Sequence, residues 1–227
     1  MDKFILFDID QTLLESGGGG LSAMTKAFKV VTGISNGFNG ISYAGKTDPQ
    51  IIREALEAHG LSVNGTRLNR LIDVYLRYFP EEMASRGGRL KPGVLELVER
   101  LHQRRDRHLG LLTGNVEKGA RIKLGHFGLN KYFSVGAFGS DSEDRNVLLP
   151  IALRRFRHQT GMPVTYRDCI VIGDTPRDVE CARVHETPCI GVATGSSSVS
   201  DLKAAEADLV VEDLTDTEAI LEWIASL

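Results

Sequence analysis

From residue 92 to the C-terminus, short apolar runs alternate with longer stretches in which apolar residues recur every three or four positions. Such alternation leaves few folds open. A strand that is apolar throughout must be covered on both faces, and the intervening helices are what cover it. The spacing predicts helices over 92–105, 116–127 and 145–160. It predicts strands over 108–113, within 132–138, and over 169–172, 188–192 and 208–211, the last two each followed by further helical pattern. Val94, Leu95, Val98 and Leu101 mark one face of the first helix, Gly128 ends the second, and Pro150 leaves the start of the third open. The fold class that follows is α/β, with a doubly wound parallel sheet.

The N-terminus adds one more strand, Phe4-Ile5-Leu6-Phe7, which runs into Asp8-Ile9-Asp10-Gln11-Thr12. Side chains alternate along an extended chain, so Asp8 and Asp10 project the same way while the strand stays extended. Like charges that close are unfavourable unless a cation or a shared proton lies between them. An enzyme can use such a pair, one carboxylate as nucleophile and the other as proton carrier, with Mg²⁺ holding both. The plain alternative is a strand end with two solvated aspartates. Against it stands the tendency of ligands to gather at the carboxyl ends of parallel strands.

Residues 17–88 interrupt the alternation. Gly17-Gly18-Gly19-Gly20 would cost backbone entropy in any regular element and reads as a flexible joint. Leu21, Met24, Phe28 and Val31 then follow helical spacing, with Gly33 as a stop. Asp48-Pro49 reads as the start of a second helix, Asp48 as its N-cap, and Ile51, Ile52, Ala55 and Leu56 continue it. A third helical pattern spans 66–83, where Pro80 is expected to kink or interrupt it. Gly87-Gly88 forms a second joint. The expected organisation is an α/β core of residues 1–16 and 89–227, with an all-helical insertion of residues 17–88 on two hinges, able to close over the strand ends.

A formal net charge of −3 gives no electrostatic case for binding nucleic acid or an anionic membrane. The arginine-dense stretches at 104–107 and 154–157 fall in helical pattern and read as solvated faces. Neither a signal peptide nor a membrane span is expected, because no window approaches about 18 consecutive apolar residues. Cys169, Cys181 and Cys189 are odd in number and form no CxxC, so free thiols in a reducing cytoplasm are expected. The six histidines show no metal-ligand spacing.

Three further strand ends carry polar residues. Thr113-Gly114-Asn115 offers a hydroxyl and backbone N–H groups where a helix opens, which suits either a turn or a phosphate cradle. The stretch from Gly139 to Arg145 follows the next strand. Gly173-Asp174-Thr175-Pro176-Arg177-Asp178 places two carboxylates four residues apart, as a helix cap or a metal site. In a doubly wound sheet these ends emerge on one edge.

Taken in order, Asp8-Ile9-Asp10-Gln11-Thr12, Thr113-Gly114-Asn115 and Gly173-Asp174-Thr175-Pro176-Arg177-Asp178 resemble the signature motifs of the haloacid dehalogenase (HAD) superfamily. The resemblance covers essentially the whole chain and implies a Rossmann-like HAD core. The helical insertion is similar to the small cap of the phosphoglycolate phosphatase and β-phosphoglucomutase group. By that resemblance Asp8 attacks phosphorus and forms an aspartyl-phosphate, while Asp10 protonates the leaving oxygen and then activates water. Thr113 hydrogen-bonds the transferring phosphoryl group with the backbone of Gly114 and Asn115, and Thr12 joins the substrate-binding set. Mg²⁺ is held by the Asp8 carboxylate, the Asp10 backbone carbonyl and Asp174, with Asp178 binding directly or through water, an all-oxygen ligand set that suits a hard cation. Lys46, in a stretch similar to the family's substrate-facing cap loop, is a candidate substrate contact.

Two positions depart from the family pattern. Gln11 stands where Gly or Asn is usual. The expected motif-three lysine is replaced by Asp144-Arg145-Asn146, so Arg145 or Lys123 supplies the cation, with Lys118 as a third choice. The resemblance implies a Mg²⁺-dependent phosphatase for a small phosphorylated metabolite, working as a monomer or homodimer. A β-phosphoglucomutase-like phosphotransferase is one alternative. A catalytically silent binding protein on the same scaffold, suggested by the altered third motif, is the other.

Overall fold

The computed structural model describes residues 1–227. The chain enters as β1 (Lys3–Phe7) and makes a two-residue strand β2 (Leu14–Glu15) before three helices, α1 (Gly19–Thr32), α2 (Asp48–Ala58) and α3 (Gly65–Arg86). It returns through β3 (Arg89–Leu90), which pairs antiparallel with β2. From there strand and helix alternate: α4 (Val94–His102), β4 (Arg107–Thr113), α5 (Glu117–His126), β5 (Val135–Phe138), α6 (Leu148–Thr160), β6 (Cys169–Gly173), α7 (Pro176–Arg183), β7 (Cys189–Val192), α8 (Val199–Ala204), β8 (Leu209–Val211) and α9 (Thr217–Ser226).

The main sheet has six strands in the order β5-β4-β1-β6-β7-β8, all parallel. The expected doubly wound sheet is therefore present. Alternation along β1 divides its side chains between two cores. Ile5 and Phe7 enter the cluster that holds Leu97, Leu101, Leu124 and Ile220 of the helices on one face, and Phe4 and Leu6 enter the cluster with Leu149, Phe156 and Val179 on the other. Each such side chain stabilises the fold by about 1.5–3 kcal/mol when fully buried, and a polar residue in β1 would spoil one core or the other. Cys169, Cys181 and Cys189 are free and buried, packed as small hydrophobes in the second cluster.

Helices α1–α3 build a third apolar cluster, around Phe28, Ile52, Leu56, Leu71, Tyr75, Phe79 and Met83, to which the sheet layer contributes Val116. No helix is long and apolar enough to cross a membrane.

Several boundaries differ from the sequence expectation for identifiable reasons. Only half of the four-glycine run is a joint: Gly17 (φ 56°) and Gly18 (φ 80°) are left-handed, whereas Gly19 and Gly20 already belong to α1. A Cβ on Gly17 would lie 2.8 Å from the Arg86 carbonyl oxygen, so the chain crosses the end of α3 too closely for any side chain. Helix α3 continues through Pro80, because Tyr75, Phe79 and Met83 hold one face of it in the third cluster. Thr47, not Asp48, caps α2, its hydroxyl accepting the Gln50 N–H at 3.3 Å. The strand expected within 132–138 is β5, which begins at Val135 after a 3₁₀ turn over Asn130–Tyr132. Helix α4 is shorter than expected at both ends. Helix α6 starts at Leu148 after a 3₁₀ turn, Arg145–Val147, which leaves Pro150 in the first turn, where its missing N–H costs nothing.

Candidate active site

Strand register assembles the site. Phe7 pairs with Leu111 of β4 and with Ile172 of β6, so Asp8 emerges between the ends of those strands. The Asp8 N–H still donates to the Ile172 carbonyl at 2.9 Å, which fixes where its side chain leaves the sheet. Gln11 follows in a left-handed conformation, φ 66°, and turns the chain back so that the Gln11 N–H reaches the Leu14 carbonyl at 2.7 Å.

Two cations divide the aspartate pair. The Arg145 guanidinium lies 3.1 Å from Asp8, also pairs with Asp178, and donates to the Leu112 carbonyl at 3.3 Å. Lys123, one of the few buried lysines, places Nζ 2.5 Å from the Asp10 carboxylate and 2.5 Å from the Asn115 side-chain oxygen. Asn115 in turn donates to Asp10 at 2.7 Å and to the Thr113 hydroxyl at 2.8 Å. Thr113 thus accepts from Asn115 and keeps its own hydroxyl proton for a ligand. This role of the Asn115 side chain was not foreseen from the sequence; the only hint was an amide directly after Thr-Gly. Lys118 is exposed and lies outside the site.

Burial sets the electrostatics. It pushes the Asp8 carboxyl up to about 6, with Arg145 opposing and Asp178 and Asp10 adding to the rise. Burial also pushes Asp174 up to about 8, aided by the charges of Asp178 and Asp8. Burial works against the charge on Arg145, but Asp178 and Asp8 outweigh it and hold the guanidinium protonated.

The carboxylate oxygens of Asp8, Asp174 and Asp178 lie within 4.8 Å of one another, all on buried residues. Three buried oxygen donors this close, with Asp174 pushed toward protonation, fit a hard divalent cation. Asp178 is partly committed elsewhere: one oxygen receives the Thr175 N–H at 3.0 Å and hydroxyl at 2.7 Å in a capping box, and the other meets Arg145. The freer oxygens belong to Asp8 and Asp174. Thr12 is fully buried and does not face the open space; its hydroxyl donates to Asp174 at 3.2 Å and holds that carboxylate in place.

Above these groups lies a cavity of about 840 Å³, lined by Asp8, Asp10, Thr113, Gly114, Asn115, Lys123, Arg145 and Asp174 from the sheet edge and by Met24, Lys46, Asp48, Ile51 and Tyr75 from the helical insertion. The start of α2 presses onto the sheet edge. The Asp48 N–H donates to the Gly114 carbonyl at 2.7 Å, and the Asp48 carboxylate accepts the Val116 N–H at 2.9 Å. Arg53 of α2 pairs with Glu143 of the loop after β5 at 2.6 Å. Burial pushes the Asp48 carboxyl up to about 6, and the Lys123 charge opposes the rise. A helix-start aspartate gave no sequence sign of this contact across elements. Lys46 lines the cavity with its ammonium 2.5 Å from Glu54, whose other oxygen accepts from Gln50 at 3.0 Å.

The family model of the haloacid dehalogenase-like hydrolases matches residues 5–192. A phosphoglycolate phosphatase of Pseudomonas syringae pv. tomato is 23% identical over 218 residues, spanning 94% of this chain and 78% of that protein. Among solved structures, β-phosphoglucomutase from Clostridium difficile superposes with a TM-score of 0.74 at 20% identity, covering 100% of this chain and 98% of its own. CbbY from Rhodobacter sphaeroides in complex with phosphate gives 0.72 at 18% identity, covering 95% and 96%.

Proposed function

This chain belongs to the haloacid dehalogenase-like hydrolases, and from that premise we propose that it is a Mg²⁺-dependent phosphatase that hydrolyses a small phosphomonoester through an aspartyl-phosphate. The observation that carries the reading is the division of the aspartate pair: Asp8 beside Arg145, and Asp10 held by Lys123 and Asn115, facing one cavity. The phosphatase names of the relatives support the same reaction class.

Asp8, with a carboxyl near 6, is ionised at neutral pH and can attack phosphorus. In this scheme Asp10 enters the step with a proton on the carboxyl oxygen that Lys123 and Asn115 leave free, and passes it to the leaving oxygen as that oxygen's bond to phosphorus breaks. Asp10 then takes a proton from the water that attacks the aspartyl-phosphate, which returns Asp8 and releases inorganic phosphate. The Thr113 hydroxyl donates to the transferring phosphoryl oxygens, and Arg145 keeps Asp8 aimed along the line of attack. Asp8 and Asp174, with Asp178 behind them, would hold Mg²⁺, which neutralises the approach of an anionic nucleophile to an anionic phosphate. Residues 17–88 act as a cap. Their own apolar cluster, which takes only Val116 from outside the insertion, and the docking of α2 onto the loops after β4 and β5 support closure by the insertion as a unit. The buried free thiols suit a reducing compartment.

Release of p-nitrophenol from p-nitrophenyl phosphate, with Mg²⁺ and with EDTA, tests this. Wild type turns over only with the metal, and Asp8→Asn abolishes turnover. Turnover that survives Asp8→Asn sinks the mechanism.

A further inference from the structure

Lys91 has no part in the reaction scheme, yet its side chain is only 9% exposed. Lysine is seldom buried without a partner that compensates its charge. The one carboxylate near it, Glu15, is 3.5 Å away and lies closer to Arg89, at 2.9 Å. The tightest side-chain contact of Lys91 is instead a neutral one: Nζ donates to the Thr194 carbonyl at 2.8 Å, across 103 residues of chain. What Lys91 does therefore depends on what Thr194 holds.

Thr194 lies in the loop that follows β7 and continues into Gly195 and Ser196, which line the cavity. The Thr194 hydroxyl donates to the Gln11 carbonyl at 2.5 Å, in the turn just after the aspartate pair. Gly195 then passes the Asp174 carboxylate so closely that a Cβ there would sit 1.8 Å from Asp174 Oδ2. The other oxygen, Oδ1, receives the Thr12 hydroxyl at 3.2 Å. Thr12 thus fixes one side of Asp174, and the backbone of Gly195 bounds the other. Lys91 stands at the far end of this line, in the segment by which the insertion returns to the core, where its own N–H donates to the Leu13 carbonyl at 3.0 Å.

We propose that Lys91 is a positioning residue for the cation site: by clamping the Thr194–Gly195 loop it holds the Asp174 carboxylate in place beside Asp8. The inference rests on the cation site of the phosphatase reading and adds to it a residue outside the ligand set. Groups that orient a metal ligand commonly carry about 10- to 100-fold in metal affinity. A carboxylate fixed in advance also loses less freedom when the cation binds.

Calorimetric titration of the metal-free protein with Mg²⁺ reads this without turnover. Lys91→Met is expected to weaken Mg²⁺ binding about tenfold. The sign separates positioning from charge, because removing a nearby cation would by Coulomb's law alone strengthen Mg²⁺ binding. Thr194→Val frees the loop from Gln11 with no change of charge and should weaken binding in the same direction. Melting in EDTA verifies that each variant folds, and if Lys91→Met does not, Thr194→Val decides by the same criterion. Hydrogen exchange in EDTA follows the loop itself, with the amides of residues 194–196 exchanging several-fold faster in Lys91→Met than in wild type. Unchanged or tighter Mg²⁺ binding by Lys91→Met, or weaker binding with loop exchange unaltered, overturns the proposal. A wild type that binds no Mg²⁺ overturns the cation site and this proposal together, whereas a wild type that binds it no better than Lys91→Met overturns this proposal alone.

Discussion

Replacing Arg145 by methionine keeps most of the side-chain volume and removes the only cation in contact with Asp8 and Asp178. Three carboxylates whose oxygens lie within 4.8 Å of one another then stay buried without a counter-charge. Removing one partner of a buried pair costs about 3–5 kcal/mol, because the remaining charge has lost its water as well. For a chain of this size each kcal/mol moves the melting temperature by roughly 2–4 °C, so the metal-free variant should melt about 6–20 °C lower at pH 8. The loss should shrink on acidification. Asp8 and Asp174 are raised to about 6 and about 8 in the folded protein, against 3.8 ordinarily. A raised carboxylate contributes stability that is complete below the ordinary value and is lost as pH climbs through the folded one. Protons thus stand in for the missing guanidinium at pH 5. Mg²⁺ should also narrow the gap, since a cation that binds only the folded site stabilises it by mass action. Differential scanning calorimetry at pH 5 and pH 8, in EDTA and in Mg²⁺, measures all of this. A drop below about 2 °C in EDTA at pH 8 would refute the electrostatic account of the cluster. A drop of equal size under all four conditions would refute it too.

Three other substitutions probe neighbouring features. Gln11→Gly should stabilise the protein by about 0.5–1 kcal/mol in urea unfolding, because relief of a left-handed φ of 66° exceeds the entropy that glycine adds to the unfolded chain; a loss of stability would mean that the Gln11 side chain matters more than its backbone. Asp48→Asn keeps an acceptor for the Val116 N–H and removes a carboxyl raised from 3.8 to about 6, so it should gain up to about 3 kcal/mol at pH 8 and nothing at pH 4; a gain independent of pH would rule out titration as the cause. Gly114→Ala sets a Cβ 2.2 Å from the Lys46 carbonyl and should prevent α2 from seating, lowering kcat/KM on the order of 10²-fold while the fold survives; an unchanged kcat/KM would show that this contact does not position the cap.

The sequence by itself determined the sheet and the order of its strand ends. Phe4-Ile5-Leu6-Phe7 and Cys169-Ile170-Val171-Ile172 are apolar at every position, and only strands covered on both faces tolerate that. Such runs could be read without coordinates because periodicity is a local property of the chain. Misreadings arose where tertiary packing overrode local preference. Gly19 and Gly20 are helical because α1 lies against α3, and Pro80 is carried through by its neighbours in the third core.

What the tertiary structure decided is which charge meets which. Arg145 and Lys123 were interchangeable in the sequence, but the 3₁₀ turn after Asp144 delivers one to Asp8 and helix α5 delivers the other to Asp10, 113 residues away in the chain. Asp48 read as a helix cap until α2 was seated on the sheet edge, where its carboxylate accepts the Val116 N–H. Residue type and spacing encode elements, whereas Coulomb energy and desolvation depend on separations of a few ångströms between groups that only the folded chain brings together.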